Sequence, residues 1–170
     1  MKIFPVIPVV IAIILSCTNG SIPFIQNKSA ADTAATASVN VNRNKLLQLV
    51  NTVRKTGCNC GATAMPPVAA IAWNELLATA AYNHSKDMNL ENYFSHIGSD
   101  GSSPGDRILA TGYKWKSYGE NIAKGYATEK EVIEGWLKSE VHCKNIMNAS
   151  FKEMGVSKAG AYWTQVFGSR

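Results

Sequence analysis

The chain has 170 residues, a length that suggests one domain. Its apolar content of 46% is ordinary for a globular protein. The net charge of +5 comes from Lys and Arg scattered with no basic run and no aromatic interleaving, which argues against nucleic acid as a partner.

Met1 and Lys2 are followed by "IFPVIPVVIAIIL", thirteen apolar residues, then Ser16 and Cys17. A charged start and a short apolar stretch mark a secretory signal over residues 1–16. Thirteen residues are too few to span a bilayer comfortably as a helix, and Pro5 and Pro8 interrupt any buried helix there. The end of the stretch, "ILSC", resembles a bacterial lipobox, in which Cys17 becomes the lipid-modified first residue of the mature protein. Several acyl chains on Cys17 would anchor the protein to a membrane in the cell envelope, whereas one chain binds only marginally. The alternative is ordinary cleavage near Cys17 and secretion. Losing residues 1–16 removes Lys2 and no acid, which lowers the net charge from +5 to +4.

Residues 17–43 form a Ser-, Thr-, Ala- and Asn-rich tether without a sustained apolar period. The folded domain then covers 44–170. Leu46, Leu47, Val50 and Val53 share one helix face, and Gly57 ends that helix. "CNCGATAMPPV" reads as a loop from its Gly and Pro-Pro content. A second helix runs from about Asn74, its N-cap, to Asn92, with Leu76, Leu77, Ala80, Ala81, His84 and Met88 on one face. Its inner position marks His84 as a core or hydrogen-bonding histidine. Ser103 caps a short helix with Pro104 at its first position, and Gly112 stops it. "YKWKSYGENIAKGY" suits a strand with a close backbone neighbour, and Glu120 is the only acid between Asp106 and Glu129. Thr128 opens a helix with Glu131 in the capping-box position and Val132, Ile133, Trp136 and Leu137 inward. Two final strands turn near Gly160. The order gives an α+β fold, a small antiparallel sheet with helices on both faces.

"NTVR" (51–54), "AAYNHSKDM" (80–88), "NYFSH" (92–96), "GENIAKG" (119–125), Trp136 with "VHCKNIM" (141–147), "MGV" (154–156) and "YWTQVFG" (162–168) occur in that order. Together they resemble the bacterial branch of the CAP superfamily, also called the SCP domain. The superfamily includes cysteine-rich secretory proteins, antigen 5 and plant pathogenesis-related proteins. The likeness covers roughly residues 44–168. It implies an α–β–α sandwich and a central cleft with two histidines and two acids. By motif, three cleft members fall on His96, Glu120 and His142. In the animal and plant branches the fourth is a glutamate three residues after the helix tryptophan. Here that register falls on Ser139, and Glu140 comes one residue later, about 100° around a helix.

His96, Glu120 and His142 are a set able to hold zinc or another divalent cation with a position open for water. Without metal, the same groups can move protons. The resemblance implies a binding module for lipid-like, metal or protein ligands rather than an enzyme. No residue is assigned as catalytic. A metal-assisted, peptidase-like hydrolase of the envelope is one alternative, and a purely structural surface module is a second. No nucleophilic triad is evident, because Ser95 and Ser139 merely adjoin His96 and Glu140, and adjacent side chains do not face one another. The plainest role for the three cleft residues is a hydrogen-bonded network that organises the cleft floor.

With Cys17 lipidated, three cysteines remain, an odd number for an exported chain. One residue separates Cys58 from Cys60, which disfavours a bridge between them. The expected disulfide joins Cys60 to Cys143, with Cys58 as the other candidate partner, and one thiol is left over. Such a staple contributes about 4–5 kcal/mol in the chain-entropy account and pins His142. The rival is a zinc held by Cys58, Cys60, Cys143 and His142, with a ligand gap tighter than usual.

Overall fold

The computed structural model describes residues 40–170. The signal segment, the lipidation candidate Cys17 and most of the tether lie outside the described residues. The elements are α1 (Arg43–Thr56), β1 (Cys58–Cys60), β2 (Thr63–Met65), β3 (Ala72–Trp73), α2 (Glu75–Leu90), α3 (Pro104–Ala110), β4 (Ser117–Lys124), α4 (Glu129–Lys138), α5 (Glu140–Ile146), β5 (Glu153–Ala159) and β6 (Tyr162–Ser169). Among the described residues, no helix is long and apolar enough to cross a membrane.

The fold is α+β, as the sequence implied. The main sheet has four strands in the order β3-β5-β6-β4. β4, β5 and β6 pair antiparallel, and the two-residue β3 runs parallel to β5 at one edge. The sheet is therefore mixed rather than wholly antiparallel. "CNCGATAM" is also more than a loop: β1 and β2 pair into a small separate ribbon, turned at Gly61 with φ of 59°. Asn42 caps α1 by accepting from the Lys45 amide at 3.0 Å.

Strand alternation divides the core into two layers. Met154, Val156, Trp163 and Phe167 face α1, α4 and α5, together with Leu46, Val50, Val132, Ile133 and Trp136. On the other side, Val166 packs with Leu77, Ala80 and Ala81 of α2 and Ile108 of α3. Gly155 lets α2 lie directly on the sheet: a Cβ there would sit 2.0 Å from the Ala78 nitrogen. Polar pairs lock this contact from within, as Ser157 Oγ donates to the Ala78 carbonyl at 2.9 Å and Ser85 bonds Thr164 at 2.8 Å. Ser103 and Thr128 cap their helices as their sequences indicate; Thr128 does so in the expected capping box with Glu131, and Ser103 forms one with Asp106 as well.

Arg54 is the largest charged group in the interior, fully buried on α1. Its guanidinium donates to the carbonyls of Ala69, Ile146, Asn148 and Phe151 at 2.7–3.2 Å. It thus satisfies carbonyls around the end of α5, where an arginine is favoured. Burial pushes its pKa down from the ordinary value.

Candidate functional site: a cleft along the outer strand

β4 is an outermost strand of the main sheet. Successive residues on it project to opposite faces, so Glu120 and Asn121 serve different layers. Glu120 turns toward α2 and α3. Its side chain is 3% exposed, and both carboxylate oxygens are engaged. Oε1 accepts from His96 Nδ1 at 2.8 Å, and Oε2 accepts from Arg107 Nη2 at 2.8 Å. Arg107, on α3, also donates to the carbonyls of His96 and Ser102, both at 2.9 Å. One guanidinium therefore fixes the acid and the loop that carries the histidine.

His84 stands behind this pair on α2, with no side-chain exposure, its Nε2 lying 3.8 Å from Glu120 Oε1. The same nitrogen is 2.9 Å from the Ser95 carbonyl, which only accepts, so Nε2 carries the proton. Its Nδ1 is buried without a protein partner. Burial pushes the His84 pKa below that of free imidazole, which Glu120 opposes and Arg107 reinforces. The ring is the hydrogen-bonding core histidine that its helix position indicated.

His96 is half exposed, in contrast. Because Nδ1–H points at Glu120, Nε2 is left as the outward-facing atom of an imidazole oriented by a carboxylate. Across the edge of β4, Asn121 Nδ2 donates to the His142 carbonyl at 3.2 Å, and Asn145 bonds Asn121 at 2.8 Å and the Glu120 carbonyl at 3.2 Å. These amides seat α5 against the strand. The His142 pKa is lowered, first by burial and then by His96.

A cavity of about 340 Å³ continues from His142 and Ser139 along the strand, walled by Phe94, Ile122, Tyr126 and Trp136. The Trp136 ring is held there by its Nε1–H donating to the Ile122 carbonyl at 3.1 Å. Phe94, one of the lining residues, is 53% exposed and so puts apolar surface at the opening.

Of the five expected cleft residues, His96 and Glu120 are in direct contact, and His142 and Ser139 line the adjoining cavity. Glu140 is directed elsewhere. Its carboxylate pairs with Lys144 one turn along α5 at 2.6 Å and packs over the β1–β2 turn at Gly61. Arg107 and His84 complete the network around Glu120. No spacing rule marks Arg107, which is brought in by the fold of α3.

A divalent cation fits this arrangement poorly. Both oxygens of Glu120 are taken, Oε1 by His96 and Oε2 by the Arg107 guanidinium, so this carboxylate is not free to ligate a cation. Among the described residues, the one group of three or more His, Cys, Asp or Glu ligand atoms lying within 4.8 Å of one another is Cys58, Cys60 and Cys143. In that group Cys60 and Cys143 are joined as a disulfide, as expected, so the four-ligand zinc arrangement with His142 is not formed.

The layered fold and the His96–Glu120 cleft define a CAP, or SCP, domain. The chain belongs to that family: the model of the cysteine-rich secretory protein (CAP) family matches residues 47–167. It is similar to two Bacillus subtilis proteins, the uncharacterized protein YkwD, 35% identical over 88% of this chain, and the uncharacterized membrane protein YlbC, 32% identical over 84%. The chain spans 56% and 39% of the length of those relatives. Among solved structures, an extracellular Bacillus anthracis protein containing an SCP domain superposes with a TM-score of 0.67 at 31% identity, covering 75% of this chain and 40% of that one. An outer surface protein of Borrelia burgdorferi shares the fold at 15% identity, with a TM-score of 0.60, covering 83% of this chain and 94% of that one.

Proposed function

We propose that this is an exported CAP-domain protein, held at a membrane through Cys17, that binds an amphiphilic, lipid-like ligand in the cleft along β4. The observation that carries the reading is the cavity of about 340 Å³ with Phe94, Ile122, Tyr126 and Trp136 along its walls and His142 and Ser139 at its polar side. An apolar body would lie against the aromatic walls, and a polar head would meet the His142 imidazole and the Ser139 hydroxyl, an arrangement usual for small-molecule sites. Export is supported by the apolar N-terminal segment and by the extracellular and outer-surface descriptions of similar proteins. Lipid anchoring is supported by "ILSC".

The metal-assisted hydrolase alternative has less support, because both oxygens of Glu120 are engaged by His96 and Arg107. The network instead holds His96 rigidly and leaves Nε2 free to donate to, or accept from, a ligand.

Titration calorimetry with a short-chain fatty acid and its lysophospholipid tests the cleft. Saturable binding that Ser139→Trp abolishes, by filling the cavity while the circular dichroism is kept, is the expected result. Binding that is absent, or indifferent to Ser139→Trp, would overturn the reading. For anchoring, Cys17→Ala should move the protein from membrane to soluble fractions.

A further inference from the structure

Three sulfurs meet on the side of α5 that packs against the β1–β2 ribbon. Cys60 and Cys143 form the disulfide, both fully buried. The free Cys58 Sγ lies 3.6 Å from Cys143 Sγ and 4.0 Å from Cys60 Sγ. The one-residue gap explains this grouping. On a strand, residues i and i+2 project to the same side, so Cys58 and Cys60 both face α5. Their Cα atoms lie about 6.8 Å apart along an extended strand, at the limit for a disulfide, and their side chains run parallel. Each is therefore poorly placed to bond the other and well placed to bond Cys143.

We propose that these sulfurs are an intramolecular disulfide-exchange site, in which the staple alternates between Cys60–Cys143 and Cys58–Cys143. The Cys58 thiolate attacks Cys143 Sγ. A Cys58–Cys143 bond forms, the Cys60–Cys143 bond breaks, and its electron pair leaves on Cys60 Sγ. Cys60 takes up a proton equivalent to the one Cys58 released to solvent. One disulfide and one thiol are present before and after, so no external oxidant or reductant is needed. The near-equal distances put Cys58 beside the S–S bond rather than on its axis, so exchange requires rotation of the cysteine side chains.

The ribbon can accommodate that movement. Its strands have three residues each, and it is separate from the main sheet. Gly57 and Gly61, at the two ends of β1, both have positive φ. The charged groups facing it from α5, Glu140 and Lys144, already neutralise each other. Exchange also changes which thiol is accessible. Cys58 is partly exposed and lines a groove of about 400 Å³ with Asn59, Ala64 and Pro66, whereas Cys60 is fully buried. The site thus moves a thiol between groove and interior, one residue from His142. Burial pushes the Cys58 thiol pKa up, so exchange is slow at neutral pH and quickens in alkali.

Disulfide mapping by mass spectrometry of the full chain tests the proposal. The protein is acid-quenched and its free thiols are alkylated after denaturation, with Cys17 read separately. The expected result is alkyl label on Cys58 in most molecules and on Cys60 in a reproducible minor fraction. After reduction, brief reoxidation by oxidised glutathione and removal of the reagent, the ratio should relax. Its rate should rise about tenfold per pH unit below the thiol pKa. Cys60→Ser should form Cys58–Cys143 under the same oxidation. Label confined to Cys58 at every pH, or a folded Cys60→Ser protein that keeps Cys58 and Cys143 as free thiols, would overturn it.

Discussion

Arg107 holds His96 at two points: Nη2 donates to the His96 carbonyl at 2.9 Å and, at 2.8 Å, to the carboxylate that accepts from the His96 ring. The cleft histidine is therefore constrained through its backbone and its side chain by one guanidinium. A lysine at that position could supply charge but not the several donors that a planar fork directs at once.

Arg107→Met should destabilise the domain by about 3–5 kcal/mol, because it leaves Glu120 buried without its cationic partner. Urea unfolding reads the loss. The His96 ring resonances should broaden as its loop is released. A loss under about 1 kcal/mol with sharp His96 signals would contradict the clamp.

Removing the staple has a separate, larger-scale effect. Cys60 and Cys143 are 83 residues apart, so Cys143→Ser should cost about 4–5 kcal/mol by releasing loop entropy in the unfolded chain. Denaturant midpoints of the oxidised wild type and the variant provide the measurement. Equal midpoints would show that the bond constrains little.

Gly155→Ala tests the contact between α2 and β5. The new Cβ would meet backbone atoms of Leu77 and Ala78, which cannot rotate away. We expect a cost of about 3 kcal/mol or more and a fall in Tm of at least about 10 °C. A Tm within experimental error of wild type would mean that the helix lies farther from the strand than described.

The histidines set a pH dependence. The folded pKa of His84 is lowered chiefly by burial, from a reference of 6.5, and that of His142 moves the same way. The unfolded chain therefore binds these protons first as pH falls. Stability is fully present above about pH 6.5 and is lost as pH drops toward the folded values, by up to about 1.4 kcal/mol per pH unit for each histidine. Carboxylates with lowered pKa, such as Asp87 and Glu153, act in the same direction but in a more acidic window. Thermal unfolding between pH 7.5 and 5 should show a falling Tm, and a flat profile over that range would count against a buried neutral His84.

Much of this arrangement can be read from the chain. Caps at Asn74, Ser103 and Thr128 carry local hydrogen bonds that need only a few residues to specify, and all three form. The motifs around them mark His96 and Glu120, and the two side chains touch. β3 could not be found, because Ala72–Trp73 is too short for a period and exists only through pairing with β5. The β1–β2 ribbon was hidden by its Gly and Pro content. Arg54 did leave a trace: it extends the i, i+4 stripe of Leu46 and Val50, and a charge in that stripe signals a group needing buried acceptors. Arg107 left none, since its partners lie on a loop and a strand that only the tertiary fold brings near.

The opposite facings of Glu120 and Asn121 restrict how this cleft can vary. Inserting or deleting a single residue early in β4 would exchange their destinations, sending the acid toward Asn145 and the amide toward His84. Relatives that bind different ligands should therefore differ here by replacing side chains at constant strand length, with length variation confined to the connections between elements.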